Sequence, residues 1–234
     1  MEKVIYVLWR GARGDGAALR GALAPRLLEL GAAAVQVNVC DSDAEGAAPT
    51  FHSSRPAMDA FVSLWVDTAN ADRRRPFDDA VAEHAARFAA YAVSESRPMR
   101  NTRFPAGPGE RTAGFAQMAL FQRPPRIARQ AWLEVWLGSH TQIAIDTQDT
   151  FFYVQNVVSR ALTFGAPPYG AIVEEGFPPA AFGNLHAFYG AGGDDEKFAR
   201  HQAAMAKSCQ RFIDFDKLDV VQTSQYVIKP LAGA

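Results

Sequence analysis

Trp132, Trp136 and His140 stand four residues apart in the proline-free segment 127–145, and residues at that spacing share one face of a helix. The segment therefore reads as a helix with two indoles and an imidazole in a single stripe. An imidazole can exchange a proton near neutral pH, and flat aromatic walls with a few polar groups suit a small aromatic or polyketide-like ligand. Polar groups able to complete such a pocket are Gln117 in an apolar run over 114–123, Asn156 close to Tyr153 in the run 151–159, and the pair Glu174-Glu175. Adjacent strand residues point to opposite faces, so one of the two acids is expected in solvent, with nothing to say which.

Other constellations carry less. His52, His84, His186 and His201 lack metal-ligand spacing and Cys40 and Cys209 form no CxxC pair, so no metal site is expected. Gly11-Ala12-Arg13-Gly14-Asp15-Gly16 lacks the Walker lysine and the GxGxxG spacing; it reads as a glycine turn with Asp15 capping a helix. A formal net charge of −1 gives no general pull towards nucleic acid or anionic lipid, and Arg73-Arg74-Arg75 is too short a patch to supply one. With 234 residues and 48% hydrophobic content the chain can bury a sizeable core. Its longest apolar runs, such as 4–9, fall far short of the roughly 20 residues that span a bilayer and do not make a signal peptide, so a cytoplasmic protein is expected.

The elements that must position the stripe recur in the same order twice. Strand 4–10, helix 15–30, strand 35–40, strand 61–67, helix 77–91 and strand 97–104 are followed by a proline and glycine cluster at 105–111. Strand 114–123, helix 127–145, strand 151–159, strand 170–177, a helical region 179–214 broken at 190–193, and strand 220–228 then follow. Val35-Gln36-Val37-Asn38-Val39 matches Val154-Gln155-Asn156-Val157-Val158, and Arg87-Phe88 matches Arg211-Phe212 near the end of each second helix. Each β-α-β-β-α-β half has the order of a ferredoxin-like unit, which divides the chain into 1–107 and 112–234. The first strand is apolar at every position, as a strand covered on both faces must be, so an α+β fold is expected in which two ferredoxin-like sheets pack face to face as an α+β barrel. A gapless alignment from Arg10 and Arg123 sets Leu19, Leu23 and Leu27 opposite Trp132, Trp136 and His140. One half has a leucine stripe that needs only core packing; a polar pocket belongs to the other.

Several motifs together resemble the EthD-like proteins of the dimeric α+β barrel superfamily. Phe121-Gln122-Arg123-Pro124 and Trp136-Leu137-Gly138-Ser139-His140 resemble that family's first strand and its helix closing on Trp, three residues and His. Tyr153-Val154-Gln155-Asn156, the run 170–177 and Arg211-Phe212-Ile213-Asp214 resemble its second strand, third strand and second helix end, while Phe61-Val62-Ser63-Leu64-Trp65-Val66-Asp67 keeps third-strand features in the first half. The chain departs from the family at Ser139, at Thr141-Gln142 and at Ser208-Cys209-Gln210. The resemblance implies action on a small, largely apolar oxygenated compound by cofactor-independent proton transfer, as in an oxidation, decarboxylation or dehydration. His140 would move the proton, Glu174 would orient it or donate, and Trp132, Trp136, Phe121, Gln117, Tyr153 and Asn156 would bind the ligand. It also implies two competing readings: a non-catalytic binder serving a partner oxygenase, and a haem protein with His201 as axial ligand. A homodimer or higher homo-oligomer fits either half.

Overall fold

A computed structural model describes residues 1–11, 14–47 and 49–232. The strands are β1 (Glu2–Trp9), β2 (Ala34–Val39), β3 (Phe51–His52), β4 (Ala60–Val66), β5 (Arg87–Met99), β6 (Phe115–Phe121), β7 (Phe152–Ala161), β8 (Ala171–Phe177) and β9 (Leu218–Lys229). The helices are α1 (Ala24–Glu29), α2 (Ala71–Ala82), α3 (Arg129–Val135), α4 (Thr141–Thr147), α5 (Leu185–Phe188) and α6 (Asp195–Gln210). A π-helical turn, Leu19–Leu23, leads into α1, and another, Trp136–His140, joins α3 to α4.

Eight strands follow one another in the order β2-β4-β1-β5-β7-β8-β6-β9, and β9 pairs back with β2, so the sheet closes into an antiparallel barrel. The short β3 pairs with β9 through Phe51 and His52. The two sheets expected to meet face to face thus join edge to edge, β5 to β7 and β2 to β9; hydrogen bonding satisfies backbone groups that an open edge would leave free. The order within the first half, β2-β4-β1-β5, recurs in the second as β7-β8-β6-β9.

Both faces of β4 and β8 are covered along their whole length, and those of β1 from Lys3 onward, which is why these strands are apolar or buried. Ile5, Val7, Phe61, Met118, Leu120 and Ile172 fill the barrel interior from both halves. Leu19, Leu23 and Leu27 pack with Val35, Val37 and Leu64 between the first-half sheet and its helices. Phe121, Trp132, Trp136, Val173 and Phe212 form the corresponding layer of the second half.

Two sequence expectations change here. The expected helix 77–91 ends at Ala82, and its last residues open β5, so that Arg87-Phe88 begins a strand and is not the counterpart of the Arg211-Phe212 helix end. The run Ala89-Ala90-Tyr91-Ala92 has good helix propensity but is hydrogen-bonded between β1 and β7, and tertiary pairing overrides so weak a preference. The π-turns also move the alignment of the halves. Taken as a common landmark, they set Leu19 opposite Trp136 and Leu23 opposite His140, one turn away from the gapless match. The contrast of leucines with an indole and an imidazole survives the shift. Ala12 and Arg13 of the glycine turn lie outside the described residues, and the Asp15 carboxylate accepts a hydrogen bond from the Ala17 N–H, 2.9 Å away, at the helix start. Among the described residues no helix is long and apolar enough to cross a membrane.

Candidate functional site

The stripe is fully buried in a stack of rings. Trp132 and Trp136 lie 5.3 Å apart, Phe121 sits edge-on 5.4 Å from Trp136, and Phe212 lies 4.6 Å from His140. Aromatic pairs favour such tilted and edge-to-face arrangements. Trp132 donates its indole N–H to the Phe212 carbonyl, 3.1 Å away, and is not among the residues lining the cavity beside Trp136 and His140; it packs in the ring cluster. Trp136 opens the π-turn, and among the described residues its buried indole N–H makes no well-formed hydrogen bond, with the Tyr153 hydroxyl beside it. A π-turn is a common device at functional sites because it redirects side chains within a helix.

Trp136 and His140 form part of the wall of a largely apolar cavity of about 350 Å³ between the second-half sheet and its helices, a volume within the range of small-ligand pockets. Gln117, Phe121, Tyr153 and Glu175 line its sheet side, and Phe188, Tyr189, Met205 and Cys209 its helix side. Pro49 and Phe51, from the segment between β2 and β4 of the first half, close it. Phe51, Leu185 and Phe215 are lining residues left substantially exposed, so they mark its mouth. The first-half segment is held in place by Asp219, whose carboxylate accepts hydrogen bonds from the Ser53 hydroxyl (2.8 Å), the Ser54 N–H (2.9 Å) and the Tyr169 hydroxyl (2.7 Å).

The cavity carboxylate is Glu175, not Glu174. Both are buried, at 3% exposure for Glu174 and 4% for Glu175, which overturns the expectation that one would face solvent; β8 has a helix layer on one face and the barrel interior on the other. Glu174 points into the barrel, where the amides of Gln36, Asn38 and Gln225 donate to it. It does not approach His140's cavity. Asn156 also faces inward and donates to the Ile172 carbonyl at 3.0 Å, so it too leaves the pocket. Gln117 stays: paired with Glu175 across β6 and β8, it donates to Glu175 Oε2 at 2.8 Å and accepts from Gln222 Nε2 at 2.9 Å.

Burial pushes the Glu175 carboxyl up to about 7, against the lowering effect of Gln117. Among the described residues its Oε1 is buried without a partner, a costly arrangement that asks for a ligand or a proton. The imidazole of His140 moves the other way: desolvation, and then the nearby Arg211 cation, bring it down to about 4. His140 is therefore neutral at physiological pH and a weak base, contrary to a titration near the ordinary histidine value. Burial and Glu175 raise the Cys209 thiol to about 12, which keeps it protonated and inert.

Among the described residues no group of three potential ligands is placed to hold a metal. His201 turns its Nδ1 to the Thr147 and Tyr189 carbonyls, at 3.0 and 2.7 Å, and does not line the cavity. Sequence reasoning missed the Pro49–Phe51 closure and the wall from α5 and α6, and it gave the acid's role to Glu174 over its neighbour Glu175. Alternation separates Glu174 from Glu175 but does not say which face holds a void.

A scan of protein-family models finds no match, and neither does a search of curated proteins. Among solved structures, the chain is similar to an anthrone oxidase-like protein, with 12% identity, a TM-score of 0.54, and 100% of this chain and 95% of that one covered. Two more remote likenesses are proteins designated candidate monooxygenases. One is from Fusobacterium nucleatum, at 8% identity and a TM-score of 0.47 over 97% of this chain and 92% of the other. The second, from Lactobacillus acidophilus, has the same identity and TM-score over 97% and 96%. At 12% identity the likeness to the anthrone oxidase-like protein shows the fold alone, which is close to a dimeric α+β barrel.

Proposed function

We propose that this chain is a tandem EthD-like protein, with ferredoxin-like units at 1–107 and 112–234, and that the second unit transforms a small, largely apolar oxygenated compound by cofactor-independent proton transfer. The repeated strand order supports the tandem reading, and the name of the anthrone oxidase-like neighbour agrees with an aromatic or polyketide-like substrate. The observation that carries the chemistry is Glu175: a carboxyl with a raised pKa and an unpartnered oxygen, in a cavity walled by aromatic and aliphatic side chains. A carboxyl poised near 7 is matched to moving a proton at neutral pH. Glu175 takes the place given to Glu174 on sequence grounds, and Gln117 holds its second oxygen so that Oε1 faces the reacting group. Trp136, Phe121 and Tyr153 bind the flat body of the ligand, and His140 acts as a neutral hydrogen-bonding group. No part of the scheme calls for haem or another bound cofactor.

The test begins with mass spectrometry of small molecules released from the purified protein, followed by turnover of the compound found. Glu175→Gln should lower turnover by about 10²–10⁴, the usual contribution of a positioned general base, while ligand affinity is retained. Equal turnover by Glu175→Gln, or none by the wild type with a tightly held ligand, would instead favour a carrier that serves a partner oxygenase.

A further inference from the structure

The hydrogen bonds around His140 fix which of its ring nitrogens carries the proton. Ser208, on α6 and 2% exposed, has its Oγ 2.9 Å from His140 Nδ1. Arg211 donates to that same Oγ at 3.2 Å and to Ser139 Oγ at 2.8 Å. Ser139 spends its own hydroxyl hydrogen on the Val135 carbonyl, 2.9 Å away. Among the described residues no carbonyl accepts from Ser208, and the acceptor placed for its hydrogen is His140 Nδ1. Were Nδ1 protonated, Ser208 would accept from both Arg211 and His140, and its own O–H would be stranded in a buried site, which is costly. With Ser208 donating to Nδ1, the hydroxyl hydrogen and Nδ1 are both satisfied. The proton on the neutral ring then lies on Nε2, since the hydrogen bond at one nitrogen sets the state of the other. Nε2 has no protein partner among the described residues, and His140 lines the cavity.

We infer that Ser208 and Arg211 are positioning residues that lock His140 as an Nε2–H donor aimed into the cavity, and that the substrate is a carbonyl compound whose acidic C–H is conjugated to the carbonyl. The inference rests on Glu175 as the proton acceptor. Glu175 Oε1 takes the C–H proton; the C–H electron pair becomes a C=C bond and the carbonyl π pair moves onto oxygen. The resulting enolate oxygen accepts the hydrogen bond from His140 Nε2. Returning the proton from Glu175 to carbon regenerates the ketone, so no oxidant or cofactor enters the step. A fixed donor placed where charge develops is the device of an oxyanion hole, and a weakly basic, neutral imidazole suits it better than an imidazolium, which would hand its proton over.

Two measurements test this, and they fail separately. In ligand-free protein labelled with ¹⁵N-histidine, NMR at pH 7 should show His140 with a protonated Nε2 and an unprotonated Nδ1. A protonated Nδ1 in the wild type overturns the lock and leaves the role of Glu175 standing. Ser208→Ala should lose the single-tautomer signature, and Ser208→Asp, whose carboxylate can only accept, should draw the proton to Nδ1. A tautomer unchanged in both also overturns it. For the substrate class, the probe is 1-tetralone in D₂O at pH 8, with exchange of its α-protons followed by ¹H NMR. Wild type should accelerate exchange, Glu175→Gln should abolish the acceleration, and His140→Phe should lower it by about 10²–10³. Ser208→Asp should fall towards His140→Phe, with Ser208→Thr restoring wild-type exchange. No acceleration by the wild type refutes the ketone class. Acceleration that survives Glu175→Gln refutes the base assignment.

Discussion

Glu175→Gln should make this protein more stable at pH 8 and leave it unchanged at pH 4. Glu175 goes from the ordinary 4.5 to about 7 on folding because burial opposes its charge. Between these values the folded state holds a proton that the unfolded chain has released, so stability falls as pH rises through the window. Below 4.5 the penalty is absent, and above about 7 it is complete. At 1.36 kcal/mol per pH unit, the rise amounts to about 3 kcal/mol. For a chain of this size that is roughly 6–12 °C in melting temperature, at about 2–4 °C per kcal/mol. Glutamine keeps the shape, still accepts from Gln117, and has no charge to bury. The assay is differential scanning calorimetry of both proteins from pH 4 to pH 8.5, with urea unfolding at the two ends. The melting temperatures should coincide at pH 4 and separate upward from about pH 5, with the variant ahead. A constant offset, or a variant less stable at pH 8, would refute the account of Glu175 as a charge held in an apolar cavity against its solvation.

His140 gives the opposite slope. Its imidazole takes a proton at the ordinary 6.5 unfolded but only at about 4 folded, so stability is lost as pH falls from 6.5 to 4; His140→Gln should remove about 3 kcal/mol of acid sensitivity, read as a flatter urea-midpoint profile. Gly176→Ala should destabilise by about 1–3 kcal/mol, because a Cβ there would lie 2.2 Å from the Phe152 ring and 2.8 Å from that of Phe151; a neutral outcome in urea unfolding would contradict the packing described. Asp219→Ala strips the Ser53, Ser54 and Tyr169 hydrogen bonds and should cost about 2–4 kcal/mol. It should also speed cleavage by chymotrypsin after Phe51, and equal resistance would show that Asp219 does not hold the cavity's cover.

Most of the strand and helix order was legible because each half alternates apolar runs with amphipathic segments, and proline and glycine clusters separate them. The boundary at Ala82 was not, since alanines at 85–92 suit a helix locally and only pairing with β1 and β7 makes them a strand. Barrel closure was hidden for a similar reason. Val35–Val39 and Ser224–Lys229 lie at opposite ends of the chain, and nothing local marks either as an edge. The stripe itself was legible down to His140. What it faces was not, because the carboxyl that matters is decided by strand parity relative to a void. The closing segment 49–54 comes from the other half of the sequence. Ser208, read at first as a departure from a family pattern, gains meaning only when α6 brings it within 2.9 Å of the imidazole.

The difference between the halves is one of volume as well as chemistry. Leu19, Leu23 and Leu27 let the first helix settle on its sheet, and their layer closes with Val35, Val37 and Leu64. In the second half, Trp132 and Trp136 stack with Phe121 and Phe212 at ring separations of 5.3–6.0 Å, and the cavity is walled in part by Phe121 and Trp136 of this cluster. Rigid rings do not collapse into the space beyond them, so a void persists where smaller side chains would repack. That void allows Glu175 and Gln117 to occupy a sheet face that would otherwise have to be apolar. Trp132 is not in the cavity wall, yet it packs behind Phe121 and Trp136, which are, and so backs the wall of the cavity in which a carboxyl is short of a partner and an imidazole has a proton to offer.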